Sequence, residues 1–138
     1  MIESFGITII KESFDKKKIL LCKSATSHTR WGFVKGKAKK DEIPKHTAMR
    51  EFKEETGITI DYKHLRDIYL ATYDDKNIGI YLVYMDDVVD IEKYFKKEKL
   101  KSKFMDMENT EVGFFDIDEL PPIKEKQKDI IRQIRSAI

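Results

Sequence analysis

Apolar and polar positions along the chain follow two rhythms, one strand-like and one helical. Ser4 to Ile10 and Lys18 to Lys23 are β-rich apolar runs separated by the polar stretch Glu12 to Lys17, which predicts two strands paired as a hairpin. Asp67 to Tyr73 and Ile78 to Met85 make a second pair, with Asp74, Asp75, Lys76 and Asn77 as a tight connection. Both of these strands are apolar at successive positions, so a sheet buried on two faces is expected. Between the pairs the chain turns polar from Ser24 to Glu42, predicting a long loop around a short strand near Trp31 to Val34. A loop of that length inside a small domain points to function. Pro44 suits the first turn of a helix through Met49 and Phe52, and Gly57 suits the left-handed position past its end. Ile91 to Leu100 reads as a lysine-rich helix or loop, and Glu111 to Ile117 as a last strand. In a closing helix from Ile123 to Ile138, Ile123, Ile130, Ile131 and Ile134 share one stripe with basic residues opposite. The expected fold class is α/β, a mixed β-sheet sandwiched between helices.

Length and charge narrow this picture. The 138 residues fit a single domain spanning 1–138. Lys plus Arg total 27 and Asp plus Glu total 25, leaving a formal net charge of +2. That balance excludes a polybasic nucleic-acid wrapper and an acidic disordered tail, both of which need one sign to dominate. The longest apolar runs fall far short of the ~20 residues of a membrane-spanning helix, and no charged-then-apolar leader opens the chain. A soluble, cytoplasmic protein with no membrane partner is expected. The single cysteine, Cys22, has no partner for a disulfide or a cysteine metal site, and its apolar surroundings mark it as packing.

The helix after the loop carries the chemistry. At ~100° per residue, Glu51, Glu54 and Glu55 fall within about a 100° arc with Arg50 at its edge, while Ala48, Met49, Phe52 and Thr56 lie opposite. Neighbouring like charges on a helix repel unless a cation neutralises them. Carboxylate clusters of this kind hold hard divalent ions, and Mg²⁺ binds through a few carboxylates, waters and substrate phosphates. Taken alone, the three glutamates also fit a solvated acidic face paired with Lys53 and Arg50.

The wider spacing separates these readings. Gly36, five residues, Glu42, seven residues, Arg50-Glu51, two residues, Glu54-Glu55, one residue, Gly57 and an apolar residue run in order to Ile58. Seven fixed identities at usual residue frequencies recur by chance on the order of once in 10⁷. This run matches the complete signature of the Nudix hydrolase family, and the chain resembles that family over nearly its whole length. The Phe114 to Leu120 run and the final helix follow the family's order. The resemblance implies the Nudix fold and hydrolysis of a diphosphate linkage in a nucleoside diphosphate joined to another group, with Mg²⁺ or Mn²⁺ as cofactor. It assigns Glu51, Glu54 and Glu55 as metal ligands and Arg50 as the arginine that orients and charge-balances Glu51. Glu42 supports the loop. Glu108, six residues before Phe114, matches a family glutamate and is expected as general base or additional metal ligand, with Glu111 as the alternative.

The segment from Trp31 to Lys37 is similar to that of mRNA-decapping, RNA 5′-pyrophosphohydrolase and diadenosine tetraphosphate hydrolase members. It implies Lys35 as a phosphate contact, with Lys37 beside it and Gly36 allowing close approach. Trp31 either stacks a base or packs the loop onto the sheet. The expected substrate is an RNA 5′ end or a dinucleoside polyphosphate; a (d)NTP or NDP-sugar pyrophosphatase and a Nudix-fold sensor without turnover are the alternatives. Lys93, Lys96, Lys97, Lys99, Lys101 and Lys103 form either an RNA track or a solvated face. His28, His46 and His64 lack metal-ligand spacing. Monomer and homodimer both remain open.

Overall fold

The computed structural model describes residues 2–26 and 29–138; His28 lies outside them. Eight strands, two α-helices and several single 3₁₀ turns follow in the order β1 (Ile2–Ser13), β2 (Lys16–Ser24), β3 (Val34–Lys37), α1 (Pro44–Thr56), β4 (Ile68–Tyr73), β5 (Lys76–Tyr84), β6 (Phe95–Lys96), β7 (Lys99–Leu100), β8 (Asn109–Asp116) and α2 (Lys128–Ala137). The strands form one mixed sheet in the order β4-β5-β1-β2-β8-β7-β6, with β3 attached to β1. The α/β expectation therefore holds, and so does the mixed sheet between helices.

The central strand, β1, has three partners. Its parallel neighbour β5 covers Ile2 to Ile10 on one edge. The other edge is divided: Ser4 to Ile7 pair antiparallel with β3, and Ile10 to Ser13 pair with β2. Where β2 leaves β1, the Thr8 hydroxyl replaces the missing ladder bonds. It donates to the Leu20 carbonyl at 2.9 Å and accepts from the Leu20 amide at 3.0 Å, and Thr8 is fully buried. Further on, β2 is joined to the segment leading into β3, where Cys22 and Gly32 exchange amide-to-carbonyl bonds at 2.8 Å each.

Strand alternation divides the core into two layers. Phe5, Ile7 and Ile9 of β1, Leu20 and Cys22 of β2 and Val83 of β5 pack against Ala48 and Phe52 of α1. Ile10, Ile19, Leu21, Ile80 and Leu82 pack against Ile130, Ile131 and Ile134 of α2. This is why β1, β2 and β5 read as nearly unbroken apolar runs. The same expectation fails for β4, which is only part-buried because it is the edge of the sheet.

Several boundaries also differ. The polar stretch between the first two strands is no loop: Lys11, Glu12 and Ser13 continue the ladder opposite Lys18, Lys17 and Lys16. In the second hairpin Lys76 and Asn77 already pair with Tyr73 and Thr72, so the turn is Asp74-Asp75 alone. Ile91 to Leu100 is a 3₁₀ turn followed by the β6–β7 hairpin. The short strand lies at Val34 to Lys37, three residues beyond its predicted start, and Trp31 and Gly32 make only isolated bridges to Ile123 and Cys22. The closing helix begins at Lys128, because Ile123 is used in the bridge to Trp31 and the Gln127 side chain accepts a hydrogen bond from the Phe33 amide. Helix α1 matches its predicted ends: Pro44 opens it, and Gly57 ends it at φ 75°, its amide donating to Lys53 O at 2.8 Å.

Candidate active site

The acids of α1 converge with the end of β3 and the loop before β8. Arg50 is the hub of their arrangement. Its Nε and Nη2 donate to the two oxygens of Glu42, each at 2.9 Å, and its Nη1 donates to Glu51 Oε1 at 2.8 Å. Longer contacts reach Glu54 Oε1 at 3.3 Å and the Lys37 carbonyl at 3.1 Å. Glu42 also accepts from the Lys39 amide and the Thr47 hydroxyl. Led by the Arg50 hydrogen bonds, these contacts hold the Glu42 carboxyl down to about 2. Glu42 is thus the anchor of the loop and of Arg50, as expected of it.

Glu51 lies against the backbone of Gly36. A Cβ at Gly36 would stand 2.0 Å from the Glu51 carboxyl carbon, so only glycine leaves room for that carboxylate. Glu54 is more than half exposed. Glu55 is placed differently from the sequence expectation: it sits seven residues after Ala48 and three after Phe52, on the core side of α1, and is 4% exposed. Its Oε1 accepts from Asn109 Nδ2 at 2.9 Å, and its Oε2 is buried with no hydrogen-bond partner among the described residues. Burial pushes the Glu55 carboxyl up to about 8; Asn109 opposes the shift, and Glu51, Asp106 and Glu108 reinforce it. Glu108 is exposed, and its carboxyl is raised by Asp106, by partial burial and by Glu51 and Glu54. Glu55 and Glu108 thus each feel Glu51 and Asp106, and Glu108 feels Glu54 as well. Glu111 is turned elsewhere, paired with Lys23 at 3.0 Å and Lys99 at 3.6 Å.

A profile of the NUDIX domain matches residues 4–134. The chain belongs to the Nudix family. It is a hydrolase acting on pyrophosphate bonds, and members of the family use divalent cations. Its fold is shared with C. elegans Ap4A hydrolase, at 17% identity, 99% coverage of this chain, 97% of the other and a TM-score of 0.68. It is likewise similar to a MutT NUDIX hydrolase from Burkholderia pseudomallei, at 20% identity, 96% and 97% coverage and a TM-score of 0.66. A third likeness is the NUDIX domain of Shewanella oneidensis NrtR, complexed with ADP ribose, at 14% identity, 99% and 88% coverage and a TM-score of 0.69.

Within this Nudix chain the donor set fits a hard divalent ion. The available atoms are carboxylate oxygens, one of them buried without a partner, which suits an oxygen-ligated cation. Among the described residues no three acids yet stand at ligating spacing; Arg50 draws Glu51 and Glu54 to itself.

The other predicted residues fall in two places. Val34 and Gly36 face α1, so alternation turns Lys35 and Lys37 to the opposite side of β3, where they line a separate pocket. The Trp31 ring lies edge-on to Phe115 with centroids 4.6 Å apart, so it packs the loop onto the sheet. Lys93 to Lys103 occupy the β6–β7 end of the sheet, with Lys99 bound to Glu111 and Lys93 and Lys103 over the rings of Tyr94 and Phe104. His46 packs on Tyr62 and His64 stands near Asp87. Sequence reasoning missed Asp106 and Asn109; their closeness to Glu108 was the available signal. It also missed Lys76, Lys124 and Gln127, for which no local signal exists. No helix is long and apolar enough to cross a membrane among the described residues.

Proposed function

We propose that this chain is a cytoplasmic, Mg²⁺-dependent hydrolase, with Mn²⁺ able to substitute, that cleaves a pyrophosphate linkage in a nucleoside polyphosphate-type substrate. An RNA 5′ end or a dinucleoside polyphosphate is the proposed substrate. The observation that carries the reading is the buried, unpartnered Glu55 Oε2, on the same helix as Glu51 and Glu54 and with its carboxyl raised further by Glu51, Asp106 and Glu108. A fold retains an unsatisfied buried carboxylate oxygen at a cost of about 1–3 kcal/mol or more, which is recovered when a cation arrives.

In this proposal Glu51, Glu54 and Glu55 hold the ion, which neutralises phosphate oxygens and lowers the pKa of bound water. Arg50, fixed by Glu42, orients Glu51 and keeps the acids from repelling one another while the site is empty of cation. Glu108 takes the proton from the attacking water; Asp106, partial burial and the acids of α1 raise its carboxyl, which makes it a stronger proton acceptor than a free glutamate.

The test is incubation with Mg²⁺ and a panel of dinucleoside polyphosphates, 5′-triphosphate RNA, capped RNA, NTPs, NDP-sugars and NADH, with product identification. Release from the first three classes at rates above the rest supports the reading. Turnover confined to NTPs or NDP-sugars overturns the substrate, and ligand binding without turnover overturns the hydrolase in favour of a sensor. E54Q should lower turnover by at least ~10²-fold, and E108Q with wild-type turnover would remove Glu108 as base.

A further inference from the structure

Asn109 opens β8 at a place where the strand breaks its own alternation. Along β8, Val112 and Phe114 face the α1 layer and Phe115 the α2 layer. Strict period two would therefore turn Thr110 toward α1 and Asn109 away from it. The register with β2 decides otherwise. Lys23 stands opposite Glu111, but Ser24 stands opposite Asn109, so Thr110 is an extra residue, a β-bulge. The Thr110 hydroxyl donates to the Lys23 carbonyl at 3.2 Å, and beyond the bulge the Ala25 amide donates to the Glu108 carbonyl at 2.8 Å. One inserted residue thus moves Asn109 to the face it shares with Cys22 and Val112, where Glu55 lies.

The side chain so aimed is 7% exposed, and its amide nitrogen serves two acids. Nδ2 donates to Glu55 Oε1 at 2.9 Å and reaches Asp106 Oδ1 at 3.5 Å. A flipped amide would set its carbonyl oxygen against both carboxylates, so their charges decide which end points inward. Asp106 is itself held, because its Oδ1 accepts from the Glu108 amide at 3.2 Å. The segment before it is seated on the end of α1 by Phe104, whose ring lies 3.3 Å from where a Cβ on Gly57 would stand. A single donor on a buried carboxylate has a directional effect. With Oε1 engaged, the Glu55 carboxylate is held against rotation, and Oε2 has no partner among the described residues. Asparagine suits this task because it donates without bringing a positive charge, which would cancel the charge a cation needs. The same bond favours the ionised carboxylate against the effect of burial.

We propose that Asn109 is a positioning residue of the cation site: aimed by the β8 bulge, its amide holds Glu55 so that Oε2 is turned to the cation. The proposal rests on Glu55 as a cation ligand in the reading above. The experiment is titration of the whole chain with Mn²⁺ in the absence of substrate, followed by the electron paramagnetic resonance signal of the free ion. N109A and N109L, the second of which keeps the volume without a donor, should each bind Mn²⁺ at least about tenfold more weakly than wild type. E55Q should also bind more weakly. Adding N109A to E55Q should then cost less than about twofold more, since Asn109 no longer positions a ligand. In the wild-type chain, which carries no substitution to disturb folding, the Asn109 Nδ2 proton resonances should shift as Mg²⁺ is added. Wild-type Mn²⁺ affinity in both Asn109 variants, an equal loss with and without E55Q, or Nδ2 resonances unmoved by Mg²⁺ would overturn the proposal. A loss in E55Q with none in the Asn109 variants would leave the cation reading standing without Asn109. Wild-type affinity in E55Q would instead remove Glu55 as a ligand, and this inference with it.

Discussion

At Gly36 a hydrogen stands where any other residue would place a carbon 2.0 Å from the Glu51 carboxyl. What it would meet is the end of a flexible side chain, so the fold can yield while the site cannot. G36A is therefore expected to unfold within about 1 kcal/mol of wild type yet lose at least ~10-fold in kcat/KM, read by urea melts beside rate measurements; equal rates would show that Glu51 has no fixed post. Glu55 has the opposite signature. Its folded carboxyl, at about 8, lies above the ~4.3 of an unfolded glutamate. Between those values the folded state holds a proton that the unfolded state releases, so this group makes stability fall as pH rises through that window and level off above it. E55Q removes the penalty: in EDTA its Tm should exceed that of wild type by a margin that grows from pH 4 to pH 8, and added Mg²⁺ should reverse the order. A constant margin across that range would rule this account out. Both residues were legible in the sequence as members of a signature with fixed spacing. The burial of Glu55 was not, since the face a helix buries depends on the sheet beneath it. Asn109, which holds Glu55, sits 54 residues away with no periodicity to link them.

At the scale of elements, local pattern found those whose neighbours in sequence decide them. Helix α1 has its proline at the start and its left-handed glycine at the end, both set by backbone chemistry within a few residues. Ile91 to Leu100 failed because a lysine-rich stretch with scattered aromatics fits helix and hairpin alike; pairing of Lys99 with Gly113 on β8 decides it. The splitting of β1 between β2 and β3 was equally invisible, as it depends on register across the sheet. Thr8 is the seam of that split. T8V keeps the shape and deletes the hydroxyl, stranding the buried Leu20 amide and carbonyl, and should destabilise the fold by about 2 kcal/mol in equilibrium unfolding. T8S should recover most of that loss. A neutral T8V would mean that the two groups find other partners.

Across the whole molecule, the near-zero net charge is a sum of separated parts. Acids of α1 lie on one side of β3 and five lysines, without ion pairs among the described residues, on the other, while elsewhere opposite charges bind elements together, as where Glu98 on the β6–β7 turn receives Lys11 of β1 at 2.9 Å and Lys18 of β2 at 2.7 Å. Composition alone reported only the balance, because it carries no positions. The three-partner strand also sets the order of events in folding. β1 is the first strand of the chain, yet its longest pairing is with β5, beyond α1 and β4. The loop that this pairing closes is long, and its entropy must be met before the parallel ladder repays it. Early in synthesis β1 can have only its hairpin with β2; the strand is complete when β5 has left the ribosome. Once complete, it can be exposed only by breaking three pairings together, so the amides of Ile7 to Ile10 should be among the last to exchange with deuterated solvent, opening only with global unfolding. The site inherits that timing: β3, with Gly36 and its two lysines, is fastened to the sheet through β1, and the acids on α1 have no wall to face until the centre of the sheet has closed.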